Sequence, residues 1–176
     1  MDIRELEIKN VYQIKNKLYE DKRGYFSEIY RKNDYEFLKT NFVQENYSFS
    51  NKYTLRGMHY QIKKPQAKLI RCLNGQIIDV ILDLRKNSET YLKALSIKLD
   101  KNYTLYIPKG IAHGFLTLKD ETIVYYKTDE YFNSNDEDGF IWKDPKIFEY
   151  WNLKEFNIKE EQLILSHKDK HWGYLR

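Results

Sequence analysis

At 176 residues, 41% hydrophobic and 32% charged, the chain suits one domain, 1–176, with a core that needs no staples; its single cysteine, Cys72, excludes an intrachain disulfide and points to a reducing compartment. A net charge of +4, with no Lys/Arg cluster interleaved with aromatics, argues against nucleic acid and suits a small anionic ligand. No apolar run could span a bilayer, and the mixed charges of Met1-Asp2-Ile3-Arg4-Glu5-Leu6 do not read as a secretory signal, so no membrane partner is expected and the cytoplasm is the expected location.

In chain order, residues 33–40 read as a short helix, with Asn33 as N-cap and Phe37 and Leu38 facing in. Residues 68–73 and 76–84 read as strands flanking Asn74-Gly75, the signal for a type I′ hairpin. Leu95, Ile97 and Leu99 alternate with Ser96 and Lys98, as in a half-buried strand. Residues 103–107, 115–118 and 121–128 are further short strands, punctuated by Pro108, Gly110 and the Lys119-Asp120 turn. From Pro145 the pattern is mixed, with helical turns over 153–162. Short strands at close spacing predict an antiparallel sandwich or barrel.

Two segments carry chemistry. Leu55-Arg56-Gly57-Met58-His59-Tyr60-Gln61 and Pro108-Lys109-Gly110-Ile111-Ala112-His113-Gly114-Phe115 each bring one histidine out of a β-rich region, beside a basic group and a small residue. Either histidine alone reads as a satisfied polar residue at a strand end. The pair, with Arg56 and a downstream tyrosine ladder, points to acid/base work on an anionic substrate. Asp79 is a lone carboxylate in the apolar run Ile77-Ile78-Asp79-Val80-Ile81 and needs a partner, for which His113 is the natural candidate.

From about residue 21 to 169 the chain resembles the dTDP-4-dehydrorhamnose 3,5-epimerases. The matching stretches include Asp21-Lys22-Arg23-Gly24-Tyr25-Phe26-Ser27-Glu28, Gln44-Glu45-Asn46, the Leu55 to Gln61 motif and Gln66-Ala67-Lys68-Leu69. They continue through Asp79-Val80, Asp83-Leu84-Arg85, the segment from Ile107 to Phe115, Tyr126-Lys127, Gly139-Phe140-Ile141-Trp142-Lys143-Asp144-Pro145 and Leu165-Ser166-His167-Lys168-Asp169. One Arg-Gly-x-His would be weak; this many segments in order are specific. The resemblance implies an all-β, cupin-type jelly-roll barrel with short peripheral helices. It also implies a cofactor-free isomerase acting beside the ketone of a nucleoside-diphosphate 4-keto-6-deoxy sugar. Protons at C3 and C5 are acidic there because the carbanion delocalises into an enolate on O4.

By that resemblance His59 is the base, Asp169 orients it, and Tyr126 returns a proton from the opposite face. Lys68 meets the charge that develops on O4. His113 and Asp79 belong to the pocket, Asp79 in support. Arg23, Phe26, Glu28, Gln44, Asn46, Arg56 and Tyr131 bind the nucleotide, the arginines as planar forks for diphosphate oxygens. The family exchanges its N-terminal strand between two subunits, so a homodimer is implied, with residues 23–28 serving the partner's site. Tyr131-Phe132 departs from the family's two consecutive tyrosines. Trp142 and Trp151 read as core or interface aromatics. Many cupins hold a metal with three His and one Glu. Here Tyr60 and Gln61 stand where a second His would sit, so the site reads as metal-free. The implied role is in surface polysaccharide synthesis. An epimerase acting at C3 only or C5 only, an enzyme for a GDP-linked heptose, and a sugar-binding module without turnover are the alternatives; the base, acid and cation set argues against the last.

Overall fold

A computed structural model of the chain describes residues 2–176. Thirteen strands alternate with turns: β1 (Ile3–Glu5), β2 (Tyr12–Lys15), β3 (Tyr19–Asp21), β4 (Gly24–Phe26), β5 (Gln44–Ser50), β6 (Leu55–Gln61), β7 (Lys68–Asn74), β8 (Ile77–Asp83), β9 (Ala94–Leu99), β10 (Tyr103–Ile107), β11 (Ile111–Thr117), β12 (Thr122–Thr128) and β13 (Glu137–Gly139). Short 3-10 helices cover Lys32–Leu38, Phe148–Trp151 and Glu160–Gln162, and one α-helix, α1, covers His167–His171. None of these helices is long and apolar enough to cross a membrane.

Two antiparallel sheets face each other, one in the order β1-β2-β10-β7-β12-β5 and the other β13-β6-β11-β8-β9; β3 and β4 form a separate hairpin. This is the jelly-roll barrel with short peripheral helices that the resemblance implies. Side-chain alternation sorts the interior into layers. On β8, Ile77 and Ile81 point between the sheets, into a layer with Ile70, Cys72, Leu105 and Val124. Their neighbours Ile78, Val80 and Leu82 point the other way, under a C-terminal cover that includes Phe140, Trp142, Trp151 and Leu163. Both tryptophans are therefore core residues. A third layer, with Ile14, Tyr35, Leu69 and Tyr106, lies outside the larger sheet beneath the first 3-10 helix.

Three expectations need correction. The strands around Asn74-Gly75 form, but they do not pair. β7 belongs to the larger sheet and β8 to the smaller, so the turn steps between sheets. Only Gly75 takes a positive φ (85°), whereas a type I′ turn needs two such residues. The predicted helix at 33–40 is a 3-10 helix capped at Arg31, with no side-chain cap hydrogen bond. Tyr35 is its buried residue, while Phe37 is exposed and meets Tyr12 edge-on.

Candidate active site

The polar members of the inter-sheet layer gather at one end of the barrel. On the smaller sheet, His59 lies directly across from His113. Close approach is possible there because Gly57, at φ 131°, faces Gly114; a Cβ on Gly57 would come within 2.5 Å of the Gly114 Cα. On the larger sheet, Tyr126 pairs with Asn46 and Ile70, and Thr128 with Gln44 and Lys68. A cavity of about 820 Å³ opens between the two walls, and His59, Lys68, Tyr126, Gln44, Asn46 and Glu137 all line it.

His59 is held from behind. Its Nε2 lies 2.6 Å from Asp169 Oδ1. Asp169 is buried in the first turn of α1, where Ser166 caps the helix; the Ser166 hydroxyl accepts from the Asp169 amide (3.0 Å) and donates to Oδ2 (2.8 Å). Burial works to raise this carboxyl, but hydrogen bonds and charge from His59, with help from Ser166 and the Gly57 amide, outweigh it and hold it below the ordinary range. An ionised Asp169 takes the Nε2 proton as a hydrogen bond. The Nδ1 lone pair is then left without a hydrogen bond among the described residues, 3.8 Å from Glu137 Oε1.

Asp79 and His113 pair at 2.8 Å, as the apolar setting of the carboxylate required. Burial raises Asp79 and lowers His113, so the low-dielectric site disfavours charge on both. Asp79 Oδ1 has no partner among the described residues. Lys68 makes no ion pair among the described residues; burial lowers its affinity for a proton, and the nearby charges of Asp79 and Glu137 oppose that. Burial likewise raises the Tyr126 phenol, against the pull of Arg56. A phenol held protonated and a lysine without an ion pair among the described residues thus share the wall facing His59. Arg56 itself reaches back to the Ser50 hydroxyl and the Phe49 carbonyl.

The other expected nucleotide residues are spread out. Gln44 donates to Asn46 Oδ1 (3.0 Å) and accepts from the Phe132 amide (2.9 Å), which draws Phe132 to the cavity wall. Tyr131 points outward and is 69% exposed. Arg23, Phe26 and Glu28 do not reach this cavity. Arg23 pairs with Asp21 on the β3–β4 hairpin, Glu28 pairs with Arg31, and Phe26 is 66% exposed. Sequence reasoning missed Glu137, which nothing local in Asp136-Glu137-Asp138 distinguishes. It reaches His59 only through the register of β13 on β6. Ser166 did carry a signal, the Ser-x-x-Asp spacing of a helix cap. Among the described residues, no group of three or more His, Cys, Asp or Glu is placed to hold a metal.

Residues 5–176 match the family described as dTDP-4-dehydrorhamnose 3,5-epimerase. The chain belongs to that family. It is an isomerase, 43% identical over 167 residues to the dTDP-4-dehydrorhamnose 3,5-epimerase of Methanothermobacter thermautotrophicus, covering 93% of this chain and 88% of that one. Solved epimerases superpose closely. The Bacillus anthracis enzyme, with TDP and pyrophosphate bound, is 37% identical with a TM-score of 0.89 and covers 99% of both chains. The Legionella pneumophila enzyme, in complex with dTDP-4-keto-L-rhamnose, is 34% identical with a TM-score of 0.89, covering 98% of this chain and 92% of that one.

Proposed function

We propose that the chain inverts C3 and C5 of a dTDP-linked 4-keto-6-deoxy sugar of the dTDP-4-dehydro-6-deoxyglucose type. The observation that carries the reading is the placing of His59 on one sheet and of Tyr126 and Lys68 on the other, across one cavity. Inversion needs a base and an acid on opposite faces of a planar enolate, and two facing sheets supply two faces. His59, oriented by Asp169, takes the proton through Nδ1; the imidazolium formed is stabilised by Asp169 and faces Glu137. The electron pair moves onto O4, where the Lys68 ammonium meets it. Tyr126 returns a proton to the other face of the carbon. Gln44, Asn46 and Arg56, with Tyr131 beside Phe132, bind the nucleotide. His113 and Asp79 shape the pocket floor.

No metal or cofactor enters this reading. The 1–176 chain acts as one cytoplasmic domain in surface polysaccharide synthesis. It works as a homodimer in which the β3–β4 hairpin delivers Arg23, Phe26 and Glu28 to the partner's cavity. Exposed Tyr19, Tyr25 and Phe26 on the hairpin, and Tyr47 and Phe49 on edge strand β5, support that assembly, since monomers rarely leave so many large apolar groups uncovered.

Deuterium uptake from D₂O into the dTDP-4-keto sugar, followed by NMR, tests the mechanism. His59→Ala should lose exchange at both carbons, a fall of roughly 10²–10⁴ or more, with dTDP binding retained. Tyr126→Phe should still wash deuterium in, because His59 can return a solvent-derived proton to the face it came from, yet make little inverted sugar. Inversion by Tyr126→Phe at close to the parent rate would overturn the two-face assignment.

A further inference from the structure

The indole of Trp172 stands edge-on to His59, with 6.5 Å between ring centroids and 61° between planes, inside the range of favourable aromatic pairs. Trp172 does not line the cavity, so it meets the imidazole from outside it. Its place is tightly fixed. The ring lies over Gly139 so closely that a Cβ there would come within 2.8 Å of Cε2. The Lys168 ammonium sits 5.2 Å above the ring while pairing with Glu137, the carboxylate beside His59 Nδ1. Beyond Trp172 the tail is strapped down: the Gly173 carbonyl accepts from the Ile141 amide (2.8 Å), and the Leu175 amide donates to Asp144 Oδ2 (2.8 Å). The indole N–H is buried without a partner among the described residues. An unpaired buried donor is unfavourable, so the ring is held by packing and by its neighbours, not by its polar group.

We propose that Trp172 is a positioning residue for His59. Asp169 fixes the imidazole through one nitrogen, which leaves the ring free to tilt about that hydrogen bond. Trp172 closes one side and Glu137 stands at the other nitrogen, so tilt is stopped and water is kept from the Asp169 hydrogen bond. A drier hydrogen bond is stronger and holds a single tautomer. Lys168 couples the arrangement, since it touches both the indole and Glu137. The proposal rests on His59 acting as the base.

The experiment compares Trp172→Ala, Trp172→Phe and His59→Ala in the deuterium and turnover assays with dTDP-4-keto-6-deoxyglucose. It adds imidazole ¹⁵N spectra of the free proteins. Trp172→Ala should lower kcat by about tenfold to a hundredfold, with KM and dTDP affinity kept within about twofold. Trp172→Phe, which restores a flat ring, should recover most of that loss. In the parent, the His59 nitrogens should report one tautomer, protonated at Nε2; in Trp172→Ala they should report a mixture. A role in packing alone moves thermal stability but neither the tautomer nor kcat at a temperature where the variant is folded. Should Trp172→Ala fail to fold, Trp172→Leu keeps the apolar bulk over Gly139 and should show the same loss of kcat and the same mixture. Parent-like kcat and a single tautomer in the folded variant would overturn the proposal while an inactive His59→Ala leaves the base assignment standing. An active His59→Ala would remove the base assignment, and the inference with it.

Discussion

Lys68 stands on the wall facing His59 and makes no ion pair among the described residues; burial lowers its affinity for a proton. Charge on an unpaired lysine in such a place is costly, and the placement makes sense if an anion arrives during the reaction. Asp79, whose Oδ1 has no partner among the described residues, and Glu137 are near enough to favour charge on Lys68, yet neither forms an ion pair with it. Lys68→Met keeps the aliphatic stem and removes the charge. Turnover and deuterium exchange should both fall, by roughly 10²–10³, because enolate formation itself loses its stabilising charge. Calorimetric binding of dTDP should be little changed. This outcome would separate Lys68 from Tyr126, whose loss is expected to spare exchange; a Lys68→Met enzyme that still exchanges at the parent rate would place the oxyanion charge elsewhere.

The segment joining β8 to β9 brings Leu84, Lys86 and Tyr91 to the cavity mouth, and one carboxylate organises it. Asp83 is fully buried and accepts from the Arg85 amide and guanidinium and from the hydroxyls of Ser88 and Thr90, at 2.7–3.0 Å. Burial alone would raise this carboxyl, but those bonds overcome it and hold the value at about 2, against an ordinary 3.8. A carboxylate depressed on folding stabilises above its unfolded value. That contribution, on the order of 2 kcal/mol, is complete above about pH 4 and is lost as pH falls toward about 2. Urea unfolding of Asp83→Asn should therefore show a clear deficit at pH 7 that shrinks below pH 4. A deficit of constant size across that range would mean the charge on Asp83 is not what matters.

At the scale of the molecule, the proposed function requires a second chain to complete the nucleotide site. The hairpin residues that the family resemblance assigns to the nucleotide sit away from the cavity, on an exposed arm. The proposed exchange of that arm between subunits can be tested by complementation. His59→Ala and Arg23→Ala should each be weak alone. In a mixed dimer one site carries both lesions, while the other takes His59 from one chain and Arg23 from its partner. Refolding the two together should recover about a quarter of parent turnover, since about half the dimers are mixed and each has one good site. Recovery no greater than the sum of the two variants would mean that each cavity is served by its own chain.

The sequence by itself determined the periodic strands and the lone polar positions. Alternation marked β9, and short runs between turn residues marked β10 and β12, within about a residue of their observed ends, because both signals are local. Asp79 in an apolar run demanded a partner, and His113 is that partner, because a buried carboxylate is unfavourable without one. Tertiary structure decided the rest. Asn74-Gly75 has hairpin chemistry, yet β7 and β8 part company: β7 takes its hydrogen bonds from β10 and β12, and β8 from β11 and β9 in the facing sheet. Asp169 meets His59 across 110 residues, and Glu137 and Trp172 reach the same imidazole through the register of β13 and the path of the tail. No local propensity encodes such meetings; they form only when the whole barrel closes and offsets the entropy of bringing distant segments together.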